Sequence, residues 1–227
     1  AEVEASPLKS NKLGTFQCLF SGWIDLDPAD AAATVTYQWY WVNAGEAAIE
    51  GATEPTLAAS GLEPQDRLIC RVTPWNGEEA GEWMDSNVVE VINHPPDLSG
   101  VALGPQGARR DSELLCQAGV VTEEDLDPYT LHVIWRKNGE FFKEEAAVAG
   151  KATLSGAFLK GDILECEVTP NDGYVDGDAR VSNPISIQNT APTPPEITLY
   201  SPDARVVSQM SCDVLVESTD LDEDALT

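Results

Sequence analysis

The chain has 227 residues, of which 39 are acidic and only 13 are lysine or arginine, so its formal net charge is −26. A surface of this sign repels nucleic acid and anionic membranes, because both are bound through lysine and arginine. Hydrophobic residues make up 42% of the chain, which indicates folded domains and excludes a disordered acidic tail. The charge suits divalent cations, a saline exterior or a cationic partner, although solubility alone would also explain it.

In chain order, the sequence repeats a block of 96 to 98 residues two and a third times, and each copy carries an early cysteine: Cys18, Cys116 and Cys212. An acidic signature follows in each copy, as Asp25-Leu26-Asp27, Asp125-Leu126-Asp127 and Asp220-Leu221-Asp222. The two complete copies continue with a tryptophan, a second cysteine, a Ser-Asn pair and an asparagine before prolines. The repeat therefore predicts one domain over residues 1–93, a second over 94–190 and the opening part of a third over 191–227, joined by short proline-rich linkers.

Each copy is predicted to be all-β, because short alternating or β-branched runs are separated by Gly, Pro, Asn and Asp. In the second copy the expected strands are 113–120, 130–137, 152–154, 163–169 and 180–187. Asn171-Asp172-Gly173 is a strong turn signal between the last two. Nothing in the chain approaches the ~18 apolar residues of a membrane-spanning helix, so we expect no membrane insertion.

Equal placement in the two copies predicts the disulfides Cys18–Cys70 and Cys116–Cys166, which would indicate an oxidising compartment. Zinc is a poor alternative, because the chain has no C-x-x-C motif and its two histidines lie apart from the cysteines. Cys212 has no partner within the 227 residues. Its partner is expected near position 260 of a longer chain.

Two cysteines on separate strands with a tryptophan strand between them are typical of the immunoglobulin-like sandwich. Leu68 and Leu164 stand where that fold usually has the tyrosine of its tyrosine corner. With D-x-D before a T-Y-x-W strand, then C-x-V-T-P and S-N, the chain resembles the tandem immunoglobulin-like, cadherin- or PKD-like repeats of large bacterial secreted or surface proteins. The resemblance covers nearly the whole chain and implies a stalk, an adhesin or a filament component at the cell surface.

The acidic signatures are the candidate metal sites, because calcium takes six to eight oxygen ligands, chiefly carboxylates and carbonyls. In a sandwich, the loop that carries them lies beside the last hairpin and the preceding linker. The expected ligands are Asp25, Asp27, Asp30, Asn93, Asp125, Asp127, Asn171, Asp172, Asn189, Asp220, Asp222 and Asp224, with Glu123 and Glu124 nearby. This arrangement resembles the calcium-binding junctions of cadherin repeats. The alternative is that these residues are ordinary solvated turns.

Aromatic residues differ between the copies, since Trp23, Tyr40, Trp41, Trp75 and Trp83 have no aromatic equivalents in the second one. Trp75 and Trp83 flank one hairpin, where they could bind a cell-surface glycan or a protein, or could pack at the sheet edge. Trp39 and Trp135 are expected in the cores.

We expect no enzyme, because no nucleophile with a base or separated carboxylate pair in a cleft is indicated. The sequence thus predicts an extracellular structural or adhesive segment, stiffened by disulfides and calcium. Its partners would be neighbouring repeats, filament subunits or a glycan, and not nucleic acid. The alternative is a carbohydrate- or protein-binding module that uses the tryptophans of the first copy.

Overall fold

The computed structural model describes residues 1–22, 34–156, 158–200 and 210–226. It divides into two compact units: unit 1 comprises Ala1–Pro95 and Glu123–Pro128, and unit 2 comprises Pro96–Thr122 and Tyr129–Thr227. Every regular element in the described residues is a β-strand. Within the same ranges there is no helix of the length and apolarity that crossing a bilayer requires.

The described residues of unit 1 form nine strands. They are β1 (Glu2–Ser6), β2 (Lys9–Ser10), β3 (Thr15–Ser21), β4 (Thr34–Trp41), β5 (Ala47–Ala48), β6 (Thr56–Ala58), β7 (Arg67–Trp75), β8 (Met84–Asp85) and β9 (Val89–Val91). One sheet has the order β1-β3-β6, and the other has the order β2-β9-β7-β4-β5 with β8 also paired to β7. Alternate residues of these strands point inward, which is why burial alternates along β1 and β3.

The core of unit 1 lies between its two sheets and is crossed by the disulfide Cys18–Cys70, which links β3 to β7. Trp39 lies opposite Cys70 on β4, is fully buried, and donates its indole N–H to the carbonyl of Glu54 at 3.0 Å. The unit is therefore an immunoglobulin-like sandwich, with the tryptophan beside the inter-sheet bridge.

Twelve strands lie in the part of unit 2 that the structure describes. They are β10 (Asp97–Leu98), β11 (Val101–Gly104), β12 (Leu114–Ala118), β13 (Val121–Thr122), β14 (Thr130–Lys137), β15 (Glu140–Ala146), β16 (Lys151–Leu154), β17 (Ile163–Asn171), β18 (Arg180–Val181), β19 (Ile185–Ser186), β20 (Glu196–Tyr200) and β21 (Ser211–Val216). The facing sheets have the orders β11-β12-β16 and β15-β14-β17-β18, with β19 also paired to β17. β10 pairs with β13, and β20 with β21.

The second core repeats the first. Cys116 on β12 is bonded to Cys166 on β17, and Trp135 lies opposite Cys166 and is fully buried. Both disulfides thus join the pairs expected from the repeat, and the all-β sandwich class is as predicted. In the described residues Cys212 is a free, exposed cysteine on β21.

The expected strands of the second copy agree with the structure where the alternation is strong and fail where it is weak. β14 has the predicted bounds, whereas 180–187 is two short strands, β18 and β19, separated by the Ser182-Asn183 segment. β15 was missed. Its residues are exposed apart from Glu145, which is half-buried, so no inward-facing alternation marks it in the sequence.

The repeated Ser-Asn pair has a structural role. The Asn87 side chain donates to the carbonyl of Ala5 and accepts from its N–H, at 2.9 and 2.8 Å, and so joins its own segment to β1 of the other sheet. Asn183 makes the same two hydrogen bonds to Leu103 on β11, both at 3.2 Å. The serines accept the N–H of the second cysteine, Ser86 from Cys70 and Ser182 from Cys166.

An Asn–Asp pair takes the place of the absent tyrosine corner. In unit 2, Asn138 donates to Asp162 at 3.0 Å, and Asp162 also accepts the Leu159 N–H at 2.8 Å. In unit 1, Asn43 and Asp66 repeat the arrangement, with Asp66 accepting the N–H of Glu63. These bonds hold the turn that precedes the second cysteine strand.

Candidate metal centre

The repeat-two acidic loop, residues 123–128, belongs to unit 1 and contains the one carboxylate cluster that the described ranges offer a metal ion. Glu123, Asp125 and Asp127 each place one carboxylate oxygen within 4.8 Å of the others. Asp125 is 1% exposed and Asp127 is 9% exposed. Leu126 has a φ of 58°, and this left-handed residue turns the chain so that the carboxylates at alternate positions converge.

Asp125 is the best-bonded member of the cluster. Its carboxylate accepts the backbone N–H of His94 at 2.5 Å and the Asn11 amide at 2.7 Å, and it contacts the His94 ring nitrogen Nδ1 at 3.0 Å. Burial raises the pKa of Asp125, but the hydrogen bonds from His94 and Asn11 outweigh it, so the pKa lies below its usual range. The hydrogen bond to Asp125 in turn raises the pKa of His94. Asp125 is therefore ionised at neutral pH.

Only one of the two carboxylate oxygens of Asp127 has a bonding partner among the described residues. Its Oδ1 pairs with the ammonium of Lys12, which lies in the turn after β2. Its Oδ2 is buried and has no hydrogen-bond partner among the described residues. A buried carboxylate oxygen without a partner is costly, because it has lost water and gained nothing in exchange. This oxygen is where a cation would be most favourable.

The repeat-three acidic loop, residues 220–224, has the same construction within unit 2. The middle carboxylate, Asp222, accepts the N–H of Thr190, and the last, Asp224, pairs with the ammonium of Lys160. The first acid caps the loop in both cases, since Glu123 accepts the N–H of Asp125 at 3.0 Å and Asp220 accepts that of Asp222 at 2.8 Å. Oδ1 of Asp222 is buried without a hydrogen-bond partner among the described residues.

The structure aligns the two acidic loops two residues away from the alignment that their sequences suggest. Matching the Asp-Leu-Asp tripeptides equates Asp125 with Asp220, but the structure equates Asp125 with Asp222. Glu223 has a φ of 64° and therefore corresponds to Leu126, which also shifts the match by two residues. The structural motif is an acid at positions i, i+2 and i+4 with a left-handed residue at i+3. The tripeptide alone does not define it.

Of the other predicted ligands, Asn189 lies beside the repeat-three loop, because the Lys160 ammonium donates both to Asn189 Oδ1, at 3.0 Å, and to Asp224. Asn171 and Asp172 bond within their own hairpin of unit 2, where Asp172 accepts the N–H groups of Tyr174 and Val175 at 2.8 and 2.7 Å. The linker residues Asn93 and Asn189 each donate to the carbonyl of the next residue, at 3.4 and 3.1 Å. Asp25, Asp27 and Asp30 lie outside the described residues.

Sequence reasoning missed the partners that surround the repeat-two loop. Asn11 and Lys12 are 114 and 115 residues from the carboxylates they contact, and no local pattern indicates such pairs. His94 lies in the linker after the first copy, where the sequence gives it no partner. Its backbone N–H is placed by the chain leaving β9, and only the folded structure brings it to Asp125.

A second feature of unit 1 is an aromatic stack centred on Arg71. The guanidinium lies 3.7 Å from the Trp83 ring centre and 4.6 Å from that of Tyr40, and it pairs with Asp85 and with Glu46. Trp83 is 55% exposed. Trp75 is 40% exposed, and Trp23 lies outside the described residues. The Trp83 indole is thus fixed on one side and open to solvent.

No protein-family model matches the chain, and no curated protein does either. Among solved structures, chicken CNTN1 FN1-FN3 domains are 14% identical, with 96% of this chain and 86% of that one covered at a TM-score of 0.35. Selenomethionine-substituted chicken interferon gamma receptor alpha chain is 11% identical, with coverages of 83% and 98% and the same TM-score. The fold assignment therefore rests on the sheets and disulfides of this chain.

Proposed function

We propose that the chain is a non-catalytic, extracellular structural or adhesive segment built of tandem immunoglobulin-like repeats, and that calcium bound in its acidic loops stiffens it. The two disulfides support an oxidising compartment, because cytosolic thiols are kept reduced. A stalk, an adhesin and a filament component all fit such a segment.

The observation that carries the calcium proposal is the buried, unpartnered Oδ2 of Asp127 beside two more carboxylates. The donor set is all oxygen, which suits calcium and disfavours softer metals. Glu123, Asp125 and Asp127 would hold the ion in the repeat-two loop, where their carboxylates converge. Asp220, Asp222 and Asp224 stay the expected ligands of the repeat-three loop. Calcium would supply the positive charge that like-charged carboxylates need at close range.

The stiffening role follows from chain connectivity. Residues 123–128 lie in unit 1, yet the residues before and after them belong to unit 2. An ion that fixes this loop against Asn11 and His94 would also fix the two points, before residue 123 and after residue 128, at which the chain passes between the units. It would fix the linker at Pro95 as well. Binding only to this arrangement would favour it over more open ones.

The experiment is low-angle X-ray scattering and thermal unfolding of the full chain with calcium and with chelator. At a calcium concentration a hundred times the Kd, the ion should contribute about 2.7 kcal/mol to unit 1. Chelation should therefore lower its melting temperature and broaden the distance distribution. Asp125→Asn with Asp127→Asn should remove the stabilisation that calcium gives unit 1 through the repeat-two loop, and the repeat-three loop should keep its own response.

The matched control is Asp111→Asn with Asp178→Asn, which removes the same charge from exposed positions outside both loops. It should keep the full calcium response. If chelator changes neither shape nor melting of the unmodified chain, the loops are solvated turns and the calcium proposal is wrong.

The exposed Trp83 favours a second candidate function, the binding of a carbohydrate or a protein by the first repeat. An indole held flat by Arg71 offers its open face at little entropic cost. Trp83→Ala should then abolish retention on a glycan array or capture by cell-surface protein. Trp41→Ala is not a suitable control because Trp41 packs partly against the core, whereas Leu13→Ala alters an exposed residue of the same unit. Equal retention of Trp83→Ala and the unmodified chain would exclude this candidate.

A further inference from the structure

A lysine ammonium is bonded to the last carboxylate of both acidic loops. Lys12 pairs with Asp127, and Lys160 pairs with Asp224 at 2.6 Å. The two lysines come from different places in the repeat: Lys12 follows β2, whereas Lys160 precedes β17. The repeat equivalent of Lys12 is Arg110, which reaches Glu223 at 3.5 Å. Two positions that are not equivalent in the repeat therefore each supply an ammonium to the last carboxylate of an acidic loop.

An ammonium at this place competes with a metal ion. It occupies Oδ1 of Asp127 and cancels one of the charges that would attract a divalent cation. Of the two carboxylate oxygens of Asp127, only Oδ2 is then available to bind a metal ion. It is buried and has no hydrogen-bond partner among the described residues. A cation bound there would lie close to the ammonium, and the two positive charges would repel each other.

The Lys12 ammonium is able to move away from the Asp127 carboxylate. The Lys12 side chain is 30% exposed, and that of Lys160 is 45% exposed, so both reach solvent. A lysine stem is long and flexible, and its ammonium is well hydrated in water. Asp127, at 6% side-chain exposure, stays in place by comparison. The geometry thus allows the ammonium to swing away while the carboxylate remains.

We propose that Lys12 and Lys160 are internal competitors for the cation sites, so that calcium binding is an exchange in which the ammonium is expelled from the last carboxylate. The exchange rests on the proposed calcium function of the same loops. It sets the affinity: the site fills only where calcium is abundant enough to displace a cation that is permanently tethered beside it. Lys12 is therefore a residue that tunes the affinity of the site without being a ligand in it.

A purely structural role for Lys12 predicts the opposite change in calcium affinity. If the lysine only holds the loop in shape, its removal loosens the carboxylates and weakens calcium binding. If it competes, its removal strengthens binding. The sign of the change in affinity therefore separates the two roles.

The test is a calorimetric titration of the full chain with calcium chloride, in a background of Asp220→Asn, Asp222→Asn and Asp224→Asn that removes the repeat-three ligands. Lys12→Met keeps the aliphatic stem and removes the charge, and it should bind calcium roughly tenfold more tightly than the background chain. Lys9→Met is the matched control. Lys9 lies on β2, three residues before Lys12, and pairs with Glu90 at 3.3 Å. Its replacement by methionine changes the net charge by the same amount. It should leave the calcium affinity nearly unchanged.

Three results would overturn the exchange and differ in what they say about the site. Weaker or equal binding by Lys12→Met, with normal binding by the background chain, would refute the exchange and leave the calcium site standing. Equal strengthening by Lys9→Met would assign the effect to net charge alone. No calcium binding by any variant would refute both the exchange and the calcium function. Near-ultraviolet circular dichroism of each variant checks that the fold is intact.

Discussion

Buried carboxylates in this chain are of two kinds, and the difference lies in how many of their oxygens are bonded. Asp162 has partners on both oxygens, namely the Asn138 amide, the Leu159 N–H and the Lys137 ammonium at 2.8 Å. Asp127 has one bonded oxygen and one buried oxygen without a hydrogen-bond partner among the described residues. The first kind stabilises the fold by itself. The second leaves a position that an added cation would complete.

The pH dependence of Asp162 tests the first kind. Burial raises its pKa, but Lys137, the Leu159 N–H and Asn138 outweigh burial and place it below the ordinary value of 3.8. A group whose pKa is lowered by folding stabilises the protein above its unfolded value and loses that effect as the pH falls through the folded value. Asp162→Asn should therefore destabilise unit 2 by about 1–3 kcal/mol at neutral pH.

The gap between Asp162→Asn and the unmodified chain should close as the pH falls below the ordinary value of 3.8 and through the lowered folded pKa, because the carboxyl is then protonated in both states. Chemical unfolding of unit 2 across this range measures it. Asp178→Asn, at an exposed position, should show no such gap. A gap that stays constant down to pH 2 would contradict the assigned pKa shift.

At the scale of elements, the Ser-Asn segment takes over part of the cross-sheet bonding. Asn183 satisfies both backbone groups of Leu103, a residue only 4% exposed on β11. Asn183→Ala leaves this N–H and carbonyl without partners and should cost about 1–3 kcal/mol of unit 2 stability. Thermal unfolding followed by near-ultraviolet circular dichroism measures the loss.

Gln117→Ala is the control for Asn183→Ala, because Gln117 is exposed on β12 of the same sheet and its truncation should change stability little. A loss of equal size in both variants would show that the Asn183 hydrogen bonds do not carry the effect. The equivalent change in unit 1, Asn87→Ala, should reproduce the loss through Ala5.

Strands and disulfide pairs were predictable because their signals are local or repeated. β14 alternates strongly and carries Trp135, and the cysteines recur at equal spacing in both copies. The Ser-Asn motif was visible as a repeat, but its role was not, because its partners lie 82 and 80 residues away in the sequence. Lys12 was missed for the same reason. The alignment of the repeat-three loop with the repeat-two loop was wrong by two residues, because the identical Asp-Leu-Asp tripeptides do not occupy equivalent positions in the structure.

For the whole molecule, the two copies share a scaffold and differ in their outer faces. Arg71 forms the aromatic stack in the first copy, while β14 and β17 of the second copy carry the ion pair Arg136–Glu167 at 2.8 Å. The cores, disulfides and Asn–Asp pairs are common to both. These differing side chains lie outside the buried core clusters of the two copies.

The net charge of −26 also acts on the molecule as a whole. Like charges repel in the compact state, and salt screens them with a Debye length of about 8 Å at 0.15 M. Raising sodium chloride from about 0.01 M to 0.15 M should therefore raise the melting temperatures of both units in the presence of chelator. Asp111→Asn with Asp178→Asn should reduce this rise. A fall in melting temperature with salt would mean that attractive surface pairs outweigh repulsion.

The grouping of residues 123–128 with unit 1 has a practical consequence for dissecting the chain. A fragment that starts at residue 94 contains the complete repeat-two loop but lacks Asn11 and Lys12, so Asp125 and Asp127 lose the amide and the ammonium that contact them. Affinities measured on single repeats excised at the repeat boundary would therefore describe a different binding pocket from that of the intact chain. A faithful minimal fragment must include both the loop and the residues of unit 1 that enclose it.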